Sequence, residues 1–249
     1  MSGHNRWTKI KHKKAASDAK KSKGWTKFIK EITVAARMGG GDPDGNPRLR
    51  AAIDKARADN MPNDTIQRAI KKGSGELESV NYEELQYECY GPGGTAVIVD
   101  IMTDNRNRTA SEIRHLLEKH NAKIGASGSV LYLFKKRGTI HFDAGAVDED
   151  KLMEAALELG AEDIQSADDV VTVLTEPGAY MSVKEGLEKK GFKPSSGEVT
   201  MIPDNQVRLE GKDAEQVVKL INILEDHDDV QNVYVNADID ESVIEQMSA

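Results

Sequence analysis

The chain has 249 residues, of which 38% are hydrophobic and 31% are charged, and its formal net charge at pH 7 is -8. That length allows one large domain or two to three small ones, and the composition is typical of a soluble globular protein. The single cysteine, Cys89, excludes an intrachain disulfide and a zinc site built from several cysteines.

The N-terminal segment is positively charged, but no apolar stretch of about seven residues follows it, which excludes a secretory signal. No run approaches the roughly 20 apolar residues of a membrane-spanning helix. Lys outnumbers Arg nine to one among the first thirty residues, whereas mitochondrial transit peptides are usually rich in Arg. We therefore expect a cytoplasmic protein with no membrane partner.

The charge is divided unevenly along the chain. Residues 1–75 contain 18 Lys and Arg against 7 Asp and Glu, whereas residues 76–249 contain 16 against 35. Such an asymmetry predicts a polyanionic partner for the first segment. The alternative is a basic surface that docks on the acidic remainder of the same protein.

Three short amphipathic helices are predicted in the first 75 residues. Apolar side chains recur at helical spacing in residues 25–38, and the glycines of the loop GGGDPDGNP end that run. Asn46 followed by Pro47 predicts the start of a second helix, and Pro62 predicts the start of a third that ends before Gly73. The first 75 residues are thus predicted to be an all-α three-helix bundle.

The periodicity changes after the bundle. EELQYECY and TAVIVDIMT are predicted strands joined by the turn GPGG, followed by a helix in TDNRNRTASEIRHLLEKH and a third strand in SGSVLYLF. From Gly138 the pattern is strand, helix, strand, strand, helix, strand, which is the ferredoxin-like order. A last helix, AEQVVKLINILED, and a strand, VQNVYVN, close the chain.

These elements predict an α+β multidomain protein in which the all-α bundle is followed by two α+β ferredoxin-like domains. The last helix and strand are the elements that the unit after the bundle lacks. We therefore expect a basic helical domain at residues 1–75, a discontinuous α+β domain at residues 76–137 plus 204–249, and an inserted ferredoxin-like α+β domain at residues 138–203.

No catalytic constellation is recognisable in the sequence. His115 and His120 are five residues apart on one predicted helix, so they lie on different faces, and Cys89 is interpreted as a buried structural thiol. GPGG lacks the Lys and Ser/Thr of a phosphate loop. Acidic pairs such as Asp228 and Asp229 are interpreted as solvated turn residues. We therefore predict a protein that is not an enzyme and has no metal site and no small-molecule substrate.

The basic arm, residues 1–30, is the main candidate for nucleic-acid binding. Its basic residues recur every two to four positions, so a helical or extended segment sets several ammonium groups against phosphates and releases counterions. Trp7 has two interpretations that stay open, stacking on an unpaired base or anchoring the arm to the bundle. The candidate contact residues are Arg6, Trp7, Lys9, Lys11, His12, Lys13, Lys14, Lys20, Lys21 and Lys23.

A second candidate is the motif DNRNRT, which places Arg106 and Arg108 at the start of a predicted helix. The N-terminus of a helix has free backbone N–H groups and a partial positive charge, both of which favour a phosphate. Asp104 and Asn107 favour the alternative, a capped turn whose arginines pair with nearby acidic residues.

Several motifs resemble those of the YebC family. They are, in chain order, GHNRWTKIKHKKAASDAKK, GGGDPDGNPRLRAAIDKARADNMP, YECYGPGGTAVIVD, TDNRNRTASEIRH, GAED and DDVQNVY. The resemblance extends over roughly residues 2–240. The family is usually described as probable transcriptional regulators and includes a mitochondrial translational activator of cytochrome oxidase subunit I. It implies an all-helical first domain, two α+β domains, and a cytoplasmic protein without a cofactor.

This chain departs from the family pattern at Gly24, where the family commonly has an apolar residue, and at Cys89, where it commonly has Gly. We expect Gly24 to separate a first helix from a second one. The departures remove no basic residue from the arm.

The resemblance implies a regulator of gene expression, and DNA-binding transcriptional control is the customary assignment. The alternative is a ribosome-associated, RNA-binding translation factor that acts on ribosomal or messenger RNA. The acidic residues 76–249 would be repelled by a long duplex, and no predicted helix is clearly lined with base-reading side chains, both of which favour the alternative. A third class is an interaction scaffold whose acidic domains recruit a basic protein, which would make the arm dispensable.

Overall fold

The structure is a computed structural model that describes residues 18–78, 80–167, 169–240 and 242–243, with side chains from residue 24 onward. The described residues form two compact units. The large unit contains residues 18–131 and 207–243, and the small unit contains residues 132–206. Both units contain buried apolar clusters. Both also combine helices with β-sheets, so the predicted mixed helix-and-sheet class is confirmed.

The large unit begins with three helices, α1 (Asp18–Gly39), α2 (Pro47–Ala58) and α3 (Asn63–Gly73). The side chain of Asn46 accepts a hydrogen bond from the backbone N–H of Leu49 and donates to the carbonyl groups of Ala35 and Gly40. Asn46 therefore caps α2 and also joins the end of α1 to the start of α2 through hydrogen bonds. The apolar core between the helices includes Ile32, Ala35, Leu49, Ile53, Ile66 and Ile70.

Gly24 lies inside α1, so the prediction that it separates two helices is wrong. One glycine costs a helix about 1 kcal/mol relative to alanine. The next turn of α1 offsets this cost, because Trp25, Phe28 and Ile29 pack against the core between the helices. The indole N–H of Trp25 also donates to the carbonyl oxygen of Asp59 at 3.3 Å.

Helices α1 and α3 lie very close together at Gly73, the last residue of α3. A methyl group added there would lie 2.3 Å from the carbonyl oxygen of Thr33 and 2.6 Å from Cβ of Ala36. We expect Gly73→Ala to lower the free energy of unfolding by about 1–3 kcal/mol, because α1 and α3 must separate. Urea denaturation followed by the fluorescence of Trp25, in a Trp7→Phe background, measures this change.

Gly24→Ala is the matched control for that substitution. Its added methyl group would meet only the carboxylate of Asp59, at an ordinary 3.5 Å. We expect it to raise stability by about 0.5–1 kcal/mol, because alanine favours the helix. Two variants of equal stability would contradict the close packing at Gly73.

The rest of the large unit is an antiparallel sheet with two helices. Its strands β1 (Glu83–Tyr90), β2 (Ala96–Thr103), β3 (Lys123–Ile124) and β9 (Val230–Val235) are arranged in the order β3-β1-β2-β9. Helices α4 (Arg106–Lys119) and α7 (Gly211–Glu225) share an apolar core with this sheet. The short parallel strands β8 (Val207–Leu209) and β10 (Ala237–Ile239) form a second, two-stranded sheet.

The predicted third strand in SGSVLYLF is wrong, because this segment forms turns and the one-turn helix Leu131–Leu133. The reason is the carboxylate of Glu88, whose residue is only 7% exposed. It accepts hydrogen bonds from the backbone N–H groups of Gly128, Val130 and Leu131 at 2.5, 2.8 and 2.7 Å. Those donors are consequently not available to a strand.

Burial raises the pKa of Glu88, but the three backbone hydrogen bonds outweigh it and hold the pKa below its usual value. A carboxyl with a lowered pKa stabilises the fold above its unfolded-state pKa of about 4.3, and this contribution is lost as the pH falls. We expect Glu88→Gln to cost about 1–3 kcal/mol at pH 7. Urea denaturation over a pH series measures this cost. The difference in free energy of unfolding between the variant and the wild type should shrink below about pH 4. A difference that stays constant would contradict the role of the charge.

The small unit is a four-stranded antiparallel sheet with two helices. Its elements are β4 (Phe134–Asp143), α5 (Glu149–Glu158), β5 (Asp163–Ala167), β6 (Val170–Thr175), α6 (Tyr180–Lys189) and β7 (Ser196–Pro203), and the strand order is β5-β6-β4-β7. The core includes Phe142 of β4 and Leu152 of α5. Because β4 is continuous from Phe134, the predicted boundary at 137/138 falls inside a strand. The division into three domains stays a prediction.

Within the described ranges, no helix is both long and apolar enough to cross a membrane.

Candidate nucleic-acid interface

The predicted basic arm is described only in part. Lys20, Lys21 and Lys23 lie in the first turns of α1, whose backbone is helical from Asp18 onward. The remaining arm candidates, Arg6, Trp7, Lys9, Lys11, His12, Lys13 and Lys14, lie outside the described residues.

Further along α1, two lysines are directed at the acidic turn that follows α7. Nζ of Lys27 donates to the carbonyl oxygen of Glu225 at 2.6 Å. Nζ of Lys30 donates to the carbonyl oxygen of Asp228 at 3.0 Å and to Oδ1 of Asp229 at 2.5 Å. Lys30 is only 7% exposed. These contacts within the protein already engage both ammonium groups.

Two arginines of the first helices also bind the remainder of the large unit. Arg37 donates to the carbonyl oxygen of Tyr82 at 2.6 Å. Arg48 lies between two carboxylates, 2.7 Å from Glu31 and 2.5 Å from Glu84, and the hydrogen bond to Glu31 raises its pKa above the usual value. The predicted alternative of internal docking therefore applies to part of the basic charge.

Other basic side chains of the first helices are exposed. Within the part of the chain that the structure describes, Arg57, Arg68 and Lys71 form no ion pair. Arg68 and Lys71 are three residues apart on α3, so they share its outer face, away from the buried Ile66 and Ile70. These two residues are not among the contacts predicted from the sequence, although basic residues at helical spacing opposite an apolar stripe are a recognisable signal.

The DNRNRT motif is built around a buried carboxylate, Asp229, which is 4% exposed. Oδ2 accepts hydrogen bonds from Thr109 at 2.6 Å, from Arg108 at 2.9 Å and from Thr103 at 3.2 Å, while Oδ1 binds Lys30. Burial raises the pKa of Asp229, but the hydrogen bonds from Lys30, Thr109 and Arg108 outweigh it and lower the pKa well below its usual range.

The two arginines of this motif have different surroundings. Arg108 also pairs with Asp104 at 2.8 Å, and its side chain is 43% exposed. The backbone N–H of Arg108 donates a hydrogen bond to the side chain of Asn105, which caps α4. Arg106 is exposed, and among the described residues it has no ion-pair partner. Arg106 is therefore accessible to a phosphate, whereas Arg108 is engaged by carboxylates as the capped-turn alternative predicted.

Asp229 joins the two candidate sites predicted from the sequence, the basic arm and the DNRNRT motif. Lys30 of the basic arm and Arg108 of the DNRNRT motif bind the same carboxylate. The interpretation of Asp229 as a solvated turn residue is therefore wrong. Its partners are far away in the sequence, so local turn patterns gave no signal of its burial.

A group that could hold a metal ion also includes Asp229. The ligand atoms of Glu112, His227 and Asp229 lie within 4.8 Å of one another. His227 is already hydrogen-bonded on both ring nitrogens, at 3.0 Å to Glu112 and at 3.1 Å to the backbone N–H of Asp229. Because Lys30 and Arg108 neutralise the Asp229 carboxylate, a further cation would be repelled there. We assign no metal to this group.

The interpretation of Cys89 as a buried structural thiol is supported by its position in β1 and by its burial in the apolar core of the large unit. Burial raises the pKa of Cys89 to about 12. A thiol with such a pKa is a poor nucleophile at neutral pH.

The fold and this interface define a class of protein, in which helices with a basic N-terminal segment precede acidic mixed α and β structure. The family model of the TACO1/YebC protein N-terminal domain matches residues 5–76, and that of the TACO1/YebC second and third domain matches residues 82–237. The chain therefore belongs to the TACO1/YebC family, which confirms the resemblance found in the motifs.

Individual relatives are similar over nearly their whole length. A probable transcriptional regulatory protein of Geotalea uraniireducens is 58% identical over 247 residues, which cover 99% of this chain and 100% of the relative. One of Geobacter sulfurreducens is 57% identical with the same coverage. A crystal structure of a conserved hypothetical protein of Aquifex aeolicus has a TM-score of 0.80 at 48% identity, covering 90% of this chain and 92% of that one.

Proposed function

We propose that this chain is a non-enzymatic, cytoplasmic regulator of gene expression that binds nucleic acid through its basic N-terminal part. The observation that carries the proposal is the net positive charge of residues 1–75, which contain 18 basic residues and only 7 acidic ones. Internal ion pairs use only some of this charge. The names of the relatives, probable transcriptional regulatory proteins, support the regulatory role.

The proposed contact surface combines the arm, which runs into the start of α1, with an exposed basic face of α3. Lys20, Lys21 and Lys23 continue the arm into α1, and Arg68 and Lys71 add an exposed basic face on α3. About six phosphate contacts would give a slope near -5 for log K against log salt concentration on duplex DNA. Binding of this kind is strong at low salt and carries little sequence preference.

By family assignment the target is DNA, and ribosomal or messenger RNA is the second candidate. The charge distribution favours RNA on the ribosome, because residues 76–249 contain 35 acidic residues that a long duplex would repel. On the ribosome the arm can contact RNA while the acidic part faces protein.

Crosslinking the protein to nucleic acid in growing cells, followed by sequencing of the attached fragments, tests the proposal and separates its two forms. Recovery of ribosomal and messenger RNA would support a translation factor, and recovery of promoter DNA would support transcriptional control. A variant with Lys9, Lys11, Lys13 and Lys14 changed to Glu is the control and should recover neither. If the wild type recovers neither, nucleic-acid binding is contradicted and a scaffold for a basic protein becomes the better account.

A further inference from the structure

Asp229 is the point at which the basic helix α1 is fixed to the rest of the large unit. The carboxylate binds Lys30 at 2.5 Å, and one residue earlier the carbonyl oxygen of Asp228 binds the same ammonium group at 3.0 Å. The carbonyl oxygen of Met102 is a further acceptor at 3.3 Å. Lys30 is thus surrounded by acceptors from two segments, which fixes this part of α1 in position.

The fixed point controls where the N-terminal lysines of α1 lie. Lys23 precedes Lys30 by seven residues in one continuous helix, a separation of about 10 Å along the axis. Because a helix is stiff over this length, a tilt at Lys30 would move the first turns of α1 as a body.

The same carboxylate fixes the start of α4. It accepts hydrogen bonds from Thr109 and Arg108, both in the first turn of that helix, and Arg106 is the first residue of the same turn. The exposed Arg106 and the lysines of α1 are therefore placed relative to one another through Asp229.

We propose that Asp229 is a positioning residue for nucleic-acid binding, which sets the basic helix α1 beside the Arg106 turn so that both contact one phosphate backbone. The inference rests on the proposed function. Asp229 is 4% exposed, so it does not itself contact nucleic acid. Lys30, at 7%, is likewise hidden from a phosphate.

The sign of one substitution separates positioning from simple electrostatics. Asp229→Asn removes a negative charge beside Lys30 and Arg108, so counting charges predicts tighter binding of a polyanion. Positioning predicts weaker binding, because the neutral amide holds Lys30 and Arg108 less strongly. A purely structural role would leave the affinity of the folded protein unchanged.

The test measures fluorescence anisotropy of the full chain with two probes, a single-stranded RNA and a duplex DNA, each about 30 nucleotides long, over a series of salt concentrations. We expect Asp229→Asn to bind the preferred probe about fivefold or more weakly, the lower end of typical coupling between sites. The slope of log K against log salt should also fall in magnitude by about 1, the contribution of one phosphate contact.

Three variants control for folding and for the partner site. Glu88→Gln also neutralises a buried carboxylate of the large unit, but one that does not touch α1, so it should bind as the wild type does. The double variant Lys30→Met with Asp229→Asn leaves no unpaired buried lysine and should fold while showing the same loss of binding. Arg106→Gln should reduce the slope in the wild type and have a smaller effect in the Asp229→Asn background.

Wild-type or tighter binding by the folded Asp229→Asn variant and the double variant would overturn the positioning role and leave the proposed function intact. Equal weakening by Glu88→Gln would also overturn it, since a general loss of stability would then account for the effect. If the wild type binds neither probe, the proposed function is contradicted, and the positioning role is contradicted with it.

Discussion

Replacing Lys9, Lys11, Lys13 and Lys14 by Glu is expected to weaken binding of single-stranded RNA by roughly 100-fold or more at about 0.1 M salt. Each phosphate contact on a single strand releases about 0.7 counterion, and this release is lost with the contact. The four new carboxylates add repulsion. Fluorescence anisotropy across a salt series measures both the affinity and the slope. The slope should fall in magnitude by about 3.

The matched control carries the same change of charge at four exposed lysines that are not in the proposed interface. These are Lys119, Lys136, Lys189 and Lys193. Changing them to Glu should leave the affinity within about threefold of the wild type, because these lysines make no proposed phosphate contact and salt screens the remaining long-range effect of their charge over about 10 Å. If the folded arm variant binds as tightly as this control, the arm is not the contact, and the acidic part of the protein becomes the candidate interaction surface.

Asp229→Ala is expected to lower the free energy of unfolding of the large unit by about 3–5 kcal/mol at pH 7, because it leaves Lys30 buried without its counter-charge. The Asp229 carboxyl has a lowered pKa in the folded protein, so its contribution is complete above the unfolded-state pKa of about 3.9 and is lost as the pH falls. The cost of the substitution should accordingly shrink below about pH 4. Urea denaturation followed by Trp25 fluorescence in a Trp7→Phe background reports this unit.

Two further variants distinguish a buried pair from a surface one. Lys30→Met combined with Asp229→Leu should cost less than Asp229→Ala alone, since no unpaired charge stays buried. Glu84→Gln breaks the half-exposed pair with Arg48 and should change stability by no more than about 1 kcal/mol. If Asp229→Ala is as mild as Glu84→Gln, the Asp229 network does not stabilise the large unit as we describe.

The sequence predicted those helix starts and turns that are determined by residues close together in the chain. Asn46 and Pro47 start α2 because the cap and the ring act within one turn, and GPGG joins β1 to β2 because the turn residues decide that connection. The prediction of a helix break at Gly24 is wrong because the cost of one glycine to the helix is small compared with the packing of Trp25 and its neighbours. The prediction of a strand in SGSVLYLF is wrong because its alternating apolar residues resemble a strand, whereas its backbone N–H groups donate to the carboxylate of Glu88.

The site was predictable in composition but not in arrangement. The basic arm and the arginines of DNRNRT stand out by charge, and family membership followed from whole motifs. Which basic residues point inward depends on partners distant in sequence, such as Lys30 and Asp229, which are 199 residues apart. Distances of that kind leave no trace in local periodicity, so the common carboxylate of the two candidate sites was not expected.

The order of the elements has a consequence for the protein while it is being made. The sheet of the large unit acquires β9 only after the small unit has been synthesised, and the partner of Lys30 follows 199 residues later. At about 5–20 residues per second, the basic helix waits roughly 10–40 seconds on the ribosome before Asp229 is translated. During that time Lys30 lacks the carboxylate that it binds in the folded protein, so α1 is fixed to the rest of the large unit only late in synthesis.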